Sequence, residues 1–293
     1  MNCILDNNYI LCTFVLTEID MKKTLLLRII FLCIVTSFNA QSTASKHVET
    51  FKIEAPQLGT HKTIWVYTPK SYHTSKQSYP VMYMFDAQNL FDAETSYVGE
   101  WKVDEYLDTL KDNDVIIIGI EHGNEKRIEE LTPYPHEKYG GGKGDTFMQF
   151  IINTVKPHID ITYRTKPEVE HTSIFGSSLG GLMAFYATLK YPGTFSKAGV
   201  FSPAFWINES IYELASTTDI PNTSKFYFLA GSKESETMVP DQEKMVALLL
   251  KKGVDPNHIQ SKVIEGGTHN EAFWSSNFPK AFQWLMTSNS KNN

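Results

Sequence analysis

Gly176-Ser177-Ser178-Leu179-Gly180 follows a short β-prone run, Thr172-Ser173-Ile174-Phe175, and opens the apolar stretch 179–189. The pentapeptide has the form G-x-S-x-G. Where a strand turns sharply into a helix, the residues two before and two after the turn must be small, because the two elements nearly collide there. Such a turn strains the backbone of its central residue and lifts that side chain above the sheet. Only Ser178 has glycine at both flanks; Ser177 has Phe175 two residues before it. The flanking strand and helix patterns favour a nucleophile at Ser178 over a plain glycine-rich turn.

Working outward, short apolar runs alternate with amphipathic stretches. That is the pattern of an α/β fold with a mostly parallel central sheet flanked by helices. Residues 47–55 and 61–68 read as an opening antiparallel pair turned near 56–59. Residues 79–85 (YPVMYMF) and 114–120 (DVIIIGI) are apolar on both faces, as buried parallel strands are. Further strands are expected at 172–175, 198–201, 225–230 and 259–264. Helices are expected at 101–110, 146–159, 179–189, 239–252 and 271–286. Residues 121–145 form a long loop with Gly140, Gly141, Gly142 and Gly144. Loops of that length are usually functional or mobile.

One domain, residues 41–293, accounts for this pattern. The 293-residue chain is 42% hydrophobic, 20% charged and 13% aromatic, as for an ordinary globular enzyme. Its formal net charge of −6 argues against nucleic acid as a partner, which needs a basic face. All three cysteines, Cys3, Cys12 and Cys33, precede residue 40. Met21-Lys22-Lys23, a mostly apolar run 25–38 and a polar stretch from Asn39 have the layout of a secretory signal peptide. The apolar run is shorter than the roughly 20 residues of a membrane span. The expectation is therefore translation from Met21, cleavage near Ala40, no lasting membrane anchor, a secreted or periplasmic product, and a mature chain without thiols.

A serine hydroxyl needs a base to take its proton. On a strand–nucleophile–helix scaffold the partners follow in the order Ser, acid, His. His269, in the loop Gly266-Gly267-Thr268-His269-Asn270 after the last expected strand, fits the base. Seven histidines precede Ser178, and His258 sits before the last strand, at the wrong end of the sheet. The acid should follow the strand 225–230. Glu234 has that place, with Glu236 and Asp241 as nearby alternatives. The backbone N–H of Leu179 should donate to the developing oxyanion, joined by one from the loop after residues 79–85, with Gln88 or Ala87 as donor. Losing one such donor costs about 3 kcal/mol of barrier. Neither H-x-H nor H-E-x-x-H spacing occurs, so no metal and no other cofactor is implied.

Six segments, in order, resemble the α/β-hydrolases known as the "Putative esterase" family, which includes enterochelin-type siderophore esterases, feruloyl and acetylxylan esterases, and S-formylglutathione hydrolases. Phe85 to Asp92 (FDAQNLFD) resembles its D-G-x-N segment, with Ala87 where glycine is usual. Arg127, Glu130 and Thr132-Pro133 resemble R-x-x-E-x-[ST]-P, and Lys156 to Arg164 its approach to the nucleophile strand. GSSLGG at 176–181, SPAFW at 202–206 and the stretch 267–274 resemble its elbow, its next strand end and its G-x-H-x-x-x-x-W segment. The resemblance implies an α/β-hydrolase fold and a triad of Ser178, His269 and Glu234, although many relatives carry Asp at the acid position. It also suggests that Arg127 and Glu130 pair with each other and brace the long loop.

The expected activity is hydrolysis of a carboxylic ester through an acyl-enzyme. An extracytoplasmic location disfavours S-formylglutathione and leaves siderophore esters or carbohydrate-linked acyl and feruloyl esters. Ala87, Trp206 and Trp274 are expected at the substrate pocket. Two other readings share the scaffold: an acyltransferase using an alcohol acceptor, and a non-catalytic binding protein. The latter class commonly loses a triad residue, and none is lost here. The oligomeric state is not encoded in any motif.

Overall fold

The apolar runs become strands whose side chains alternate between two hydrophobic layers. The computed structural model describes residues 42–111 and 114–287. Backbone contacts group Met1–Ser42 and Thr43–Asn293 as two units, and the fold is that of the second. The expected signal peptide, residues 21–40, lies outside the described residues.

The strands are β1 (Val48–Ala55), β2 (Thr60–Tyr67), β3 (Val81–Phe85), β4 (Ile116–Ile120), β5 (Pro135–His136), β6 (Gly140–Gly141), β7 (Thr172–Ser177), β8 (Lys197–Phe201), β9 (Lys225–Gly231) and β10 (Ile259–Ile264). Eight form one sheet in the order β1-β2-β4-β3-β7-β8-β9-β10. β1 and β2 pair antiparallel, as do β2 and β4; every other pairing in this sheet is parallel. β5 and β6 make a small separate hairpin inside the long loop.

The two-residue period of a strand explains the layers. Val81, Tyr83 and Phe85 face one layer with Ile116, Ile118 and Ile120. The helices Gly144–Phe150, Leu179–Lys190, Ser210–Thr217 and Met238–Lys251 cover that side through Phe147, Leu182, Phe185, Ile211 and Met245. Met82, Met84 and Ile117 face the other layer. There the helices Val103–Thr109 and Glu271–Met286 contribute Leu107, Phe278, Phe282 and Leu285. The central strands are thus buried on both faces, whereas β10, at the sheet edge, is half-exposed. Among the described residues, no helix is long and apolar enough to cross a membrane.

Three local features depart from the expectations. The helix expected at 146–159 runs from Gly144 to Thr162 with a π-helical turn at Ile151–Val155. Pro157, just beyond that turn, has no N–H to donate, and wider turns are one way a helix accommodates such a gap. The helix Ser210–Thr217 was not expected.

Arg127 and Glu130 do not pair with each other. Glu130 accepts two hydrogen bonds from Lys62 Nζ at 2.6 and 2.7 Å, and one from the Gly123 N–H at 2.7 Å. Arg127 instead forks onto Asp86, with both nitrogens 2.8 Å from the carboxylate oxygens. The charge partners come from β2 and from the end of β3, so the long loop is fastened to the sheet.

Lys62 and Glu130 are both buried. Removing one partner of a buried pair strands the other charge, at about 3–5 kcal/mol. Lys62→Met is therefore expected to lower unfolding free energy by that amount in urea denaturation. A loss below about 1 kcal/mol would contradict the bracing role.

Candidate active site

β7 ends at Ser177, and Ser178 turns the chain into the helix Leu179–Lys190 with φ 56° and ψ −119°. A non-glycine residue at positive φ costs about 1–3 kcal/mol unless its surroundings enforce it. Here the Ser178 N–H donates to the Phe201 carbonyl at 2.9 Å, and the Ser178 carbonyl accepts from the Leu182 and Ala204 N–H groups at 3.0 and 3.1 Å. A Cβ on Gly176 would stand 2.5 Å from the Gly180 carbonyl, so no larger residue fits under the turn.

The loops after β9 and β10 bring two further side chains over Ser178. They cross at Gly231 and Gly267, where a Cβ on Gly231 would lie 2.3 Å from the Gly267 oxygen. The Asn270 side chain accepts from the Phe273 N–H at 2.9 Å and caps the helix Glu271–Met286, which fixes the chain beyond His269. His269 Nε2 stands 3.0 Å from Ser178 Oγ, and its Nδ1 stands 2.6 Å from Glu234 Oε2. The Glu234 carboxylate is 1% exposed and the His269 ring 39%. Glu234 Oε1 also accepts the Gly231 N–H at 2.6 Å and the Ser202 hydroxyl at 2.7 Å. Ser202 in turn accepts Trp274 Nε1–H at 2.8 Å, and the Trp274 ring meets the imidazole edge-on at 4.9 Å. The sequence reading gave Ser202 no role of its own; its signals were the SPAFW segment and its place at the end of β8, beside the end of β7. Glu236 is exposed, and Asp241 sits in the helix Met238–Lys251 with Tyr212 as its partner.

A cavity of about 440 Å³ opens beside Ser178. Gln88, Ser178, His269 and Trp274 line it, together with Asp86, His122, Arg127, Glu271 and the exposed Tyr97 and Val98. Gln88 lies in the turn Ala87–Asn89, and its buried Oε1 has no hydrogen-bond partner among the described residues. Leu179 is the first residue of its helix, where the N–H has no intrahelical acceptor. Ala87 is fully buried, tucked toward Gly119, and does not line the cavity. Trp206 lies elsewhere: half-exposed, it borders a second cavity of about 460 Å³ with Glu234, Thr237, Met238 and His269. Within the first cavity the Arg127 charge is matched by Asp86. Burial holds the His122 imidazole below its ordinary pKa, partly offset by Asp86. Burial also raises the Glu271 carboxyl, and Asp86 adds to that rise. With Asp86 and Glu271 beside Arg127, the lining is not strongly positive.

The "Putative esterase" sequence profile matches residues 55–285. The chain belongs to this family. It is an ester hydrolase on an α/β-hydrolase fold. The esterase is 27% identical over 237 residues to the uncharacterized protein YbbA of Bacillus subtilis, covering 76% of this chain and 92% of that one. It is 34% identical over 77 residues to a siderophore enterobactin esterase of Emericella nidulans, 26% of this chain and 24% of that protein. The crystal structure of BES protein from Bacillus cereus shares the fold, with a TM-score of 0.69, 20% identity, and coverage of 86% of this chain and 99% of that one.

Ser202→Ala would take one donor from Glu234 and leave the buried Trp274 N–H unpaired, a loss of about 1–3 kcal/mol in stability. The esterase's kcat should fall while KM changes little, measured on a soluble aryl ester. An unchanged kcat would contradict a role for Ser202 in holding the carboxylate.

Proposed function

We propose that the protein is a serine carboxylesterase in which Ser178 attacks the ester carbonyl. His269 Nε2 takes the hydroxyl proton as the Oγ–C bond forms. Glu234 holds the imidazole by its Nδ1–H and stabilises the imidazolium. The carbonyl electrons move to oxygen, where the Leu179 and Gln88 N–H groups serve as donors. As the tetrahedral intermediate collapses, His269 returns its proton to the leaving alkoxide. Water then repeats the sequence on the acyl-enzyme, releasing the acid and restoring Ser178. The observation that carries this reading is the unbroken hydrogen-bonded run Ser178–His269–Glu234 at a strained turn beside a cavity. A non-catalytic binding protein would have no use for that strain.

The proposed substrate is a siderophore ester. The similarity to the enterobactin esterase of Emericella nidulans supports this class. A second reading, an aryl or carbohydrate-linked ester, draws on the half-exposed Trp206, whose ring meets Tyr139 at 5.8 Å and His136 at 6.5 Å. Trp206 lines the second cavity beside His269 and Glu234, where its ring would stack on a flat leaving group. The pattern at residues 21–40 supports secretion of the mature enzyme.

The test is hydrolysis of 4-nitrophenyl acetate and butyrate, followed by siderophore and feruloyl esters, by the wild type beside Ser178→Ala. The wild type should be active and the variant reduced to background. Equal activity in both would sink Ser178 as nucleophile. Glu234→Gln should keep the fold yet lose about 10⁴-fold in kcat, because the amide favours the wrong imidazole tautomer. A loss below about 10-fold would reject Glu234 as the acid.

A further inference from the structure

Away from the cavity, three carboxylates face one another at the start of the helix Val103–Thr109. One oxygen from each of Glu100, Asp104 and Glu105 lies within 4.8 Å of the other two. Asp104 is fully buried. Its Oδ2 accepts the Ser45 N–H at 2.6 Å, but its Oδ1 is buried with no hydrogen-bond partner among the described residues, and so is Glu105 Oε2. Glu100 Oε1 accepts the Thr43 hydroxyl at 2.8 Å. Among the described residues, no lysine, arginine or histidine forms an ion pair with any of the three.

The contrast with the other buried acids is sharp. Glu130 has Lys62 and a backbone donor, and Glu234 has His269, Ser202 and Gly231. The neighbouring Asp108 holds Ser45, His47 and Tyr67. A buried carboxylate beside two others is relieved by a proton or by a cation.

The geometry suits a cation. Ligands at the usual Ca²⁺–oxygen distance of about 2.3–2.6 Å stand no more than about 5 Å apart. The donors are all hard oxygens, with neither imidazole nor thiolate, which selects against zinc and copper. Mg²⁺ demands a small, near-ideal octahedron and retains its waters, whereas Ca²⁺ tolerates irregular carboxylate cages.

We propose that Glu100, Asp104 and Glu105 form a Ca²⁺ site. The ion would supply the missing partner for Asp104 Oδ1 and Glu105 Oε2. Thr43 and Ser45 bond to its ligands, so it would clamp the 43–47 segment to this helix. The same stretch continues into the cavity wall: the Trp101 N–H donates to the Asn89 carbonyl at 2.7 Å, and the Val103 N–H to that of Leu90 at 3.0 Å. The ion's role is to hold that wall, with no part in the chemistry at Ser178.

The test uses the whole secreted chain after chelator treatment, titrated calorimetrically with CaCl2 and then melted. One Ca²⁺ should bind per chain. At about 100-fold above the measured Kd, Tm should rise by about 5–10 °C, with a smaller rise in MgCl2. Asp104→Asn and the milder Glu100→Gln should each lose most of the Ca²⁺-dependent rise. Glu100, which is half-buried, keeps the test valid should Asp104→Asn fail to fold. No binding heat and no Tm change with Ca²⁺ would overturn the proposal, leaving a shared proton as the relief. A full Tm rise retained in Glu100→Gln would overturn it equally.

Discussion

The backbone of Ser178 is the constraint on which the site depends. At φ 56° and ψ −119° it is held in a conformation it would not choose. Its neighbours enforce the choice: Phe201 and Ala204, from β8 and the turn beyond it, bond to both of its peptide groups. Gly176 and Gly180 permit the close pass, and Gly181 permits another, since a Cβ there would stand 2.6 Å from the Phe201 oxygen. Packing of the sheet thus fixes one side chain above its edge. The folding free energy of the whole domain offsets a local cost of about 1–3 kcal/mol.

The sheet order sets everything else at the site. β7 lies between β3 and β8, so the loops at the carboxyl ends of β3, β7, β8, β9 and β10 open toward one end of the sheet. Open α/β sheets generally bind ligands there. Gln88 and Asp86 follow β3, Ser178 follows β7, Ser202 follows β8, Glu234 follows β9 and His269 follows β10. The acid is the best-anchored of these. Three donors converge on it, and the Trp274 side chain of the last helix reaches it through Ser202. His269 is the more exposed of the pair, and in the proposed mechanism it carries the proton while Glu234 holds it in place.

Much of this architecture is legible in the sequence because it rests on local periodicity. Short apolar runs such as VMYMF and IIIGI, bounded by turn residues, read as strands buried on both faces, and G-x-S-x-G marks its own turn. The order Ser, acid, His points to Ser178, Glu234 and His269, and these side chains lie in hydrogen-bond contact. What escapes is non-local. Arg127 and Glu130 stand three apart on one helical turn and read as partners, yet Asp86 and Lys62 outcompete that pairing from other elements. Ala87 and Gln88 are adjacent, and only the direction of the 3-10 turn decides that Gln88 faces the cavity while Ala87 packs toward Gly119. Trp206 reads as pocket lining and does line a cavity with Glu234 and His269, but that this is the second cavity and not the one beside Gln88 depends on its place against His136 and Tyr139 of a long loop with no periodic signal. The helix Ser210–Thr217 spans eight residues, too few for its apolar positions to establish a period.

The central claim is that Ser178 is an activated nucleophile, and covalent labelling tests it most directly. The intact protein would be treated with a stoichiometric fluorophosphonate, weighed by mass spectrometry, and digested to locate the adduct. The account predicts one adduct per chain, on Ser178, with labelling slowed severely in His269→Ala. An adduct on Ser177 or any other residue, or no labelling of a folded chain, would contradict it.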